Sequence, residues 1–505
     1  IAAHTSGAIP ARSMIRVREN MIVWLVGVVR DWPDFRRRSN GQADLRGIGR
    51  VMNNTDDQTA IEGAVAAAKA DIDRFLRMKV NHVFGRLWAL AADEEIRARQ
   101  EEIVQYAADR GIRLHFVGNT EIGEYLSEEQ KEQAFTPREN RTYMWSALDA
   151  HREKARYYAD TMRELKAGML AIHPVDSGAY INPEVWSNRP EPDRERYGDD
   201  RAAANIEQFK IYFDAVREQS PGTMLEAVCY PYHYQFALPD FPERFKQMNV
   251  QPYANWWRAI ENEQQAREVQ QQLIEYHRRL AEALGDDVFI TFREAGRDVF
   301  LACADLYPGH PIDIWTYPET YDGWHGTFFP QGRYAKSFVR EGYDDYFFMA
   351  GGYGRCRDSM VCRMANAEYV WNADVPDGSD EFTVRSRLHA VGGQVTDYQR
   401  DNLIPRIART LYGEAADVLG EVLAANISYN YVGTPAAVMS RRGEDDEDTF
   451  RYMSDQGEKM EALSPKLAAL LDRMEPDESE AYGWAVFYYK YTALDSGAVS
   501  VTFEQ

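Results

Sequence analysis

The sequence predicts an α/β protein: a (β/α)8 TIM barrel followed by a helical C-terminal domain. Two observations carry that prediction. From residue 21 to about residue 375, short apolar runs alternate with stretches whose apolar residues recur every three or four positions, the pattern of parallel strands joined by crossover helices. Beyond Asn372 the short runs give way to long helix-compatible segments.

The strand candidates, in order, are Ile22 to Arg30, Val80 to Trp88, Arg113 to Gly118, Gly168 to His173, Met224 to Tyr230, Val288 to Arg293, Ile312 to Tyr317 and Tyr346 to Ala350. Helical stripes fall between them, such as Ile61, Val65, Ile72, Phe75 and Leu76, then Ile206, Phe209, Phe213 and Val216, then Val269, Leu273, Tyr276 and Leu280. Eight strand and helix units in one run fit a closed barrel better than an open sheet. The sixth helix, near Asp298 to Tyr307, is short. After the barrel, Glu381 to Tyr412, Glu414 to Asn426, Asp448 to Arg473 and Glu478 to Leu494 are helix-prone, and a strand is suggested only at Val499 to Phe503. The expected division is 1–20 as the tail of an upstream α/β domain, 21–375 as the barrel, and 376–505 as the helical domain.

A chain of 505 residues is long for one core, which agrees with two domains. The longest apolar run, Met21 to Val29, is shorter than the roughly 18 residues of a membrane helix and reads as a buried strand. With 58 Lys and Arg against 80 Asp and Glu, the net charge of −22 repels phosphate backbones and anionic lipid. Neither nucleic acid nor a membrane is an expected partner, and a homo-oligomer stays open. The acidic stretch Arg442 to Asp448 reads as a solvated loop. Four cysteines, Cys229, Cys303, Cys356 and Cys362, lack the paired CxxC of a zinc site. A Cys356 to Cys362 disulfide and buried free thiols are both open.

Barrel chemistry sits where strands end and loops begin. At the ends of the eight runs and just beyond them come, in order, Asp31 to Arg38; Arg86 and Trp88; Asn119 and Glu121; His173 and Asp176; Tyr230 and His233; Arg293 and Glu294; Trp315, Tyr317, Glu319 and Asp322; and Gly351 to Gly354. Such a mixture suits a sugar, whose C–H faces stack on Trp and Tyr while its hydroxyls bond to carboxylates, Asn, Arg and His. Cleaving a glycosidic bond needs an acid for the leaving oxygen and a second group to activate water or stabilise the oxocarbenium-like centre. The catalytic candidates are Asp176, Glu294 and Glu319. The substrate-binding candidates are Arg86, Trp88, His173, Tyr230, His233, Arg293, Trp315, Tyr317, Asp322 and Asn372. His173 with Asp176, or His233 with His325, lacks the HxH or HExxH spacing of a metal site, and the Gly351 loop lacks the Lys-Ser/Thr of a P-loop. No cofactor or metal is expected.

The order of several motifs also carries a resemblance. Asp31-x-Pro-x-Phe-x-x-Arg38, Lys79-Val-Asn-His82, Asp176, Pro221-Gly222, Tyr230-Pro-x-x-Tyr234 and Tyr369-Val-Trp-Asn372 together resemble the hexosaminidase and α-glucuronidase superfamily of glycoside hydrolases. The resemblance spans roughly residues 1 to 425. It implies a barrel glycosidase acting on an oligo- or polysaccharide, a helical domain behind it, and an α/β domain ahead of it whose tail is the Gly-rich Ile1 to Gly7. Members that use the substrate acetamido group carry two adjacent acids after strand four, whereas Asp176 is followed by Ser177. The second acid is therefore expected from another strand, Glu294 ahead of Glu319. An exo-acting hydrolase in an extracellular or periplasmic setting is the leading expectation. A non-catalytic glycan-binding or assembly protein is the alternative, and an enzyme for acidic sugars, with Arg86 or Arg293 clasping the carboxylate, is a third.

Overall fold

A computed structural model describes residues 21–24, 58–77, 81–84, 93–138, 141–174, 186–229, 234–245, 260–293, 297–316, 346–350 and 396–425, with a few more within 364–369 and 462–470. The chain divides into two compact units. One comprises Ile1–Leu25, Gln42–Thr316 and Glu341–Ala350; the other comprises Val26–Gly41, Tyr317–Arg340 and Gly351–Gln505.

The first unit is α/β, with much helix and a curled parallel sheet. It runs β1 (Met21–Trp24), α1 (Gln58–Arg77), β2 (His82–Phe84), α2 (Glu94–Ala108), β3 (Arg113–Gly118), α3 (Glu128–Gln133), β4 (Phe135–Arg138), β5 (Arg141–Tyr143), α4 (Leu148–Leu165) and β6 (Met169–Ile172). It continues through α5 (Glu191–Tyr197), α6 (Arg201–Gln219), β7 (Met224–Ala227), α7 (Phe241–Arg244), α8 (Glu263–Leu284), β8 (Val288–Arg293), α9 (Arg297–Ala304), β9 (Ile312–Thr316) and β10 (Tyr346–Ala350). Each of the eight apolar runs contains a parallel strand. Their hydrogen-bonded order is β1-β10-β9-β8-β7-β6-β3-β2, and β1 pairs with β2 as well as with β10, so the order closes. The antiparallel β4–β5 hairpin stands apart from this ladder and was not expected from the sequence.

Local chemistry sets the helix ends. Asp93 accepts from the amides of Glu95 and Ile96 at 3.0 Å, Asp200 caps α6 through Ala203, and Asn262 caps α8 through Gln265. Ser127 and Gln130 form a reciprocal capping box on α3. The stripes face inward largely as their spacing requires: Ile61, Val65, Ile72 and Phe75 on α1, Phe209, Phe213 and Val216 on α6, and Leu273, Tyr276 and Leu280 on α8 are buried. Leu76 departs from the expectation, being 47% exposed; it adjoins Phe75 and so points about 100° away from it around the helix. All four residues of β6 are buried, as a strand covered on both faces requires.

The second unit carries α10 (Ile404–Tyr412) and α11 (Ala416–Ala425), preceded by a π-helical turn at Gln399–Leu403. Thr396 and Gln399 cap one another, Gln399 also donates to the buried Tyr369 hydroxyl at 2.9 Å, and Arg406 pairs with Glu368 at 2.8 Å. The expected strand at Val499 to Phe503 and the Cys356 and Cys362 thiols lie outside the described residues; Cys229 and Cys303 are buried free thiols. Among the described residues no helix is long and apolar enough to cross a membrane.

Gly118 closes β3 where α4 comes nearest. A Cβ there would sit 2.6 Å from the Tyr158 ring, while the Tyr158 hydroxyl accepts from the Asn119 amide at 3.0 Å and donates to the Asn119 carbonyl at 3.1 Å. Gly118→Ala is expected to displace Tyr158 and lower unfolding free energy by about 1–3 kcal/mol, read as a shifted urea midpoint. An unchanged midpoint would show that the ring yields freely.

Candidate active site

Of the residues expected from the sequence to form the site, His173 is described with its side chain. It is buried, and its amide donates to the Gly118 carbonyl at 2.9 Å, which carries the ladder one residue past the end of β6. Arg293 and Trp315 are described as backbone, the last residue of β8 and the fourth of β9, and the two face each other in register. Asp176, Glu294, Glu319, Arg86, Trp88, Tyr230, His233, Tyr317, Asp322 and Asn372 lie outside the described residues.

The segments leaving β3 and β6 pack against each other in one interface. Tyr143, Trp145, Trp186, Tyr197 and Ala204 form its apolar cluster, with Tyr143 stacked on Trp145 at 5.6 Å. The buried Asp193 carboxylate accepts from the amides of Trp145 (3.1 Å) and Ser146 (2.7 Å), tying one segment to the other. Tyr197 Oη lies 3.1 Å from the Trp145 carbonyl and 2.7 Å from Glu207, so its single proton is shared between them. The Arg189 guanidinium lies 4.0 Å from the Trp186 ring centre and donates to the Gly198 carbonyl at 2.7 Å.

Lys154 on α4 anchors the turn that follows β3. Its ammonium is buried, donates to Asn119 Oδ1 at 2.6 Å and also to the Glu121 carbonyl. Burial lowers its pKa to about 8, against the opposing pull of the Glu121 and Glu124 charges.

Inside the sheet lies a polar row that the sequence analysis missed. The registers place His82, His115, Glu226, Thr291 and Asp313 on one face, and Val83, Leu114, Leu170, Leu225, Ile290 and Ile312 on the other. The crossover helices cover the apolar row, so the polar row faces the axis of the curl. His82 Nδ1 and His115 Nε2 lie 2.8 Å apart, one donating to the other. Burial first, then the nearby His82 and Arg113, hold the His115 pKa well below the ordinary histidine value. Thr291 donates to Glu226 Oε1, and the Asp313 carboxyl lies against that of Glu226. Burial pushes both carboxyls up, Asp313 furthest, because the Glu226 charge adds to its desolvation. The signal was present in the sequence: Glu226 and Asp313 are acids set inside apolar runs, Met224 to Cys229 and Ile312 to Trp315. Attention to residues beyond each run passes over those within it.

No family model matches the chain, and no curated protein does. Among solved structures, the fold resembles that of a mutant O-GlcNAc hydrolase from Thermobaculum terrenum, with a TM-score of 0.51 over 86% of this chain and 80% of that one, at 12% identity. At that identity the likeness shows a shared, glycosidase-like fold.

Lys154 generates a pH prediction. Its folded pKa, about 8, lies below the unfolded value of 10.5, so the unfolded chain binds more protons between those limits and stability rises with pH across them. The rise approaches about 3 kcal/mol once both states are neutral. Lys154→Met removes it, so the variant's deficit relative to wild type should widen from pH 8 to pH 10 in urea unfolding. A deficit independent of pH would contradict the depressed value.

Proposed function

We propose that this chain is a glycoside hydrolase of the hexosaminidase and α-glucuronidase kind, built on a complete (β/α)8 barrel over residues 21–375 and followed in sequence by a helical domain over 376–505. The observation that carries the reading is a fold shared with an O-GlcNAc hydrolase in a chain with acids in the segments that follow its strands. Glu294 comes immediately after β8, and Asp176 follows β6 by four positions. Barrel enzymes assemble their chemistry at that end.

In this reading Asp176 and Glu294 are the acid and the base or nucleophile, with Glu319 after β9 as the other candidate. A general acid must keep its proton near the working pH, and burial among aromatic side chains would raise a carboxyl in that direction. The second carboxylate then meets the positive charge that develops at the anomeric carbon. Separation of the two carboxyls fixes the outcome: about 5 Å gives retention, and roughly 6.5–9.5 Å leaves room for water and gives inversion. Arg86, Trp88, His173, His233, Arg293, Asp322 and Asn372 complete the sugar subsite. With Ser177 beside Asp176, the second acid comes from a different strand, which separates this chain from acetamido-assisted cleavage by adjacent acids. The substrate is an oligo- or polysaccharide attacked from its end, outside the cytoplasm.

The test is incubation of the wild type, Asp176→Asn and Glu294→Gln with chromogenic glycosides, including N-acetylglucosaminides and glucuronides, and with plant, algal and animal glycans. Release of sugar by the wild type is expected, with each variant slower by about 10²–10⁴-fold. Release by all three at equal rates would remove these acids from the mechanism. Glycan binding with no release would establish a binding protein instead.

A further inference from the structure

Below the proposed site lies a carboxyl pair that the glycosidase chemistry does not use. Glu226 on β7 and Asp313 on β9 are both completely buried, with Thr291 of β8 between their strands. Glu226 Oε1 accepts from Thr291, but Glu226 Oε2 and both Asp313 oxygens have no donor among the described residues. Ionised carboxylates only accept, and two of them sealed from water against each other repel strongly. One proton between them turns one acid into a donor and leaves a single delocalised charge. The same pair presses on Cys229, two residues past β7, whose thiol is pushed up to about 12 by burial and, more weakly, by the Glu226 charge, while a bond to the Tyr307 hydroxyl opposes the shift. Among the described residues, Thr291 meets the pair directly and Cys229 feels the Glu226 charge.

The position of this layer gives it a role. Thr291 and Asp313 face each other across β8 and β9, and two residues on, at the same parity, Arg293 faces Trp315. A slip of one residue between these strands would turn every side chain on them to the opposite face. We propose that Glu226 and Asp313 hold one proton between them and, with Thr291, act as positioning residues that lock β7, β8 and β9 in the register carrying Arg293 and Trp315 to the site. The positioning role rests on the glycosidase reading; the shared proton does not.

Infrared spectra of the full chain in D2O at neutral pH test the proton. A carbonyl band from a protonated carboxyl is expected in the wild type and lost in Glu226→Gln and in Asp313→Asn, where an amide supplies the donor and the remaining acid ionises. No such band in the wild type, or its persistence in both variants, would overturn the proposal. Amide exchange tests the lock: Glu226→Leu should speed exchange at 288–293 and 312–316 by tenfold or more while leaving 113–118 unchanged, and Glu226→Gln should restore wild-type protection. Equal exchange in all three proteins, or acceleration throughout the barrel, would contradict it. On a glycoside turned over by the wild type, Glu226→Leu should lower kcat and raise KM, with Glu226→Gln recovering most of both. Absence of turnover would sink the glycosidase reading alone, with the infrared and exchange results still deciding the pair.

Discussion

Alternation along the parallel strands is the constraint on which the rest of the first unit depends. Each strand sends successive side chains to opposite faces, and the ladder keeps those faces aligned from β1 to β10. One row, including Leu114, Leu170, Leu225 and Ile290, is buried and apolar and is covered by helices. Burial of side chains of that size contributes about 1.5–3 kcal/mol each relative to exposure. The row is thus the source of both cohesion and register. The opposite row is left to accommodate polar groups, because it points into the curl and not at a helix.

Polar groups in that row lie against one another. His82 and His115 share one ring hydrogen, and burial favours a neutral His115. Glu226 and Asp313 are joined by a different route, through Thr291 and a common proton. The partners also explain why the row is so specific in composition: replacing one member leaves another buried without its hydrogen bond, which is more damaging than losing the bond itself. Toward the strand ends the logic changes from pairing to anchoring. Lys154 grips Asn119 and Glu121, and Asp193 grips Trp145 and Ser146, so the segments that leave β3 and β6 are held by buried charge-assisted bonds.

The strands were legible in the sequence because parallel strands buried on both faces read as short continuous apolar runs, and Met169 to Ile172 shows this at its plainest. Helices were legible from stripes such as Phe209, Phe213 and Val216. The β4–β5 hairpin was not legible, since Phe-Thr-Pro-Arg and Arg-Thr-Tyr are too short to show alternation. Leu76 illustrates a different limit: an apolar residue beside a stripe is not necessarily part of it. His173, Arg293 and Trp315 could be named from the sequence as site candidates because they stand at the ends of apolar runs, whereas the Arg293–Trp315 register emerges only from the strand pairing. Glu226, Thr291 and Asp313 could not be found by that rule, because their importance comes from neighbours on other strands, far away in sequence. A carboxylate at inward parity within an apolar run is the local trace they leave.

The most direct examination of the central claim is a crystal structure of the wild-type chain with a basic sugar mimic, an iminosugar whose protonated nitrogen imitates the charge of the oxocarbenium-like state. The account predicts that it binds at the C-terminal ends of the strands, above the Arg293–Trp315 pair, with Asp176 and Glu294 on opposite sides of the ring. An iminosugar seated away from both acids, or a protein that binds glycans elsewhere on its surface, would contradict it.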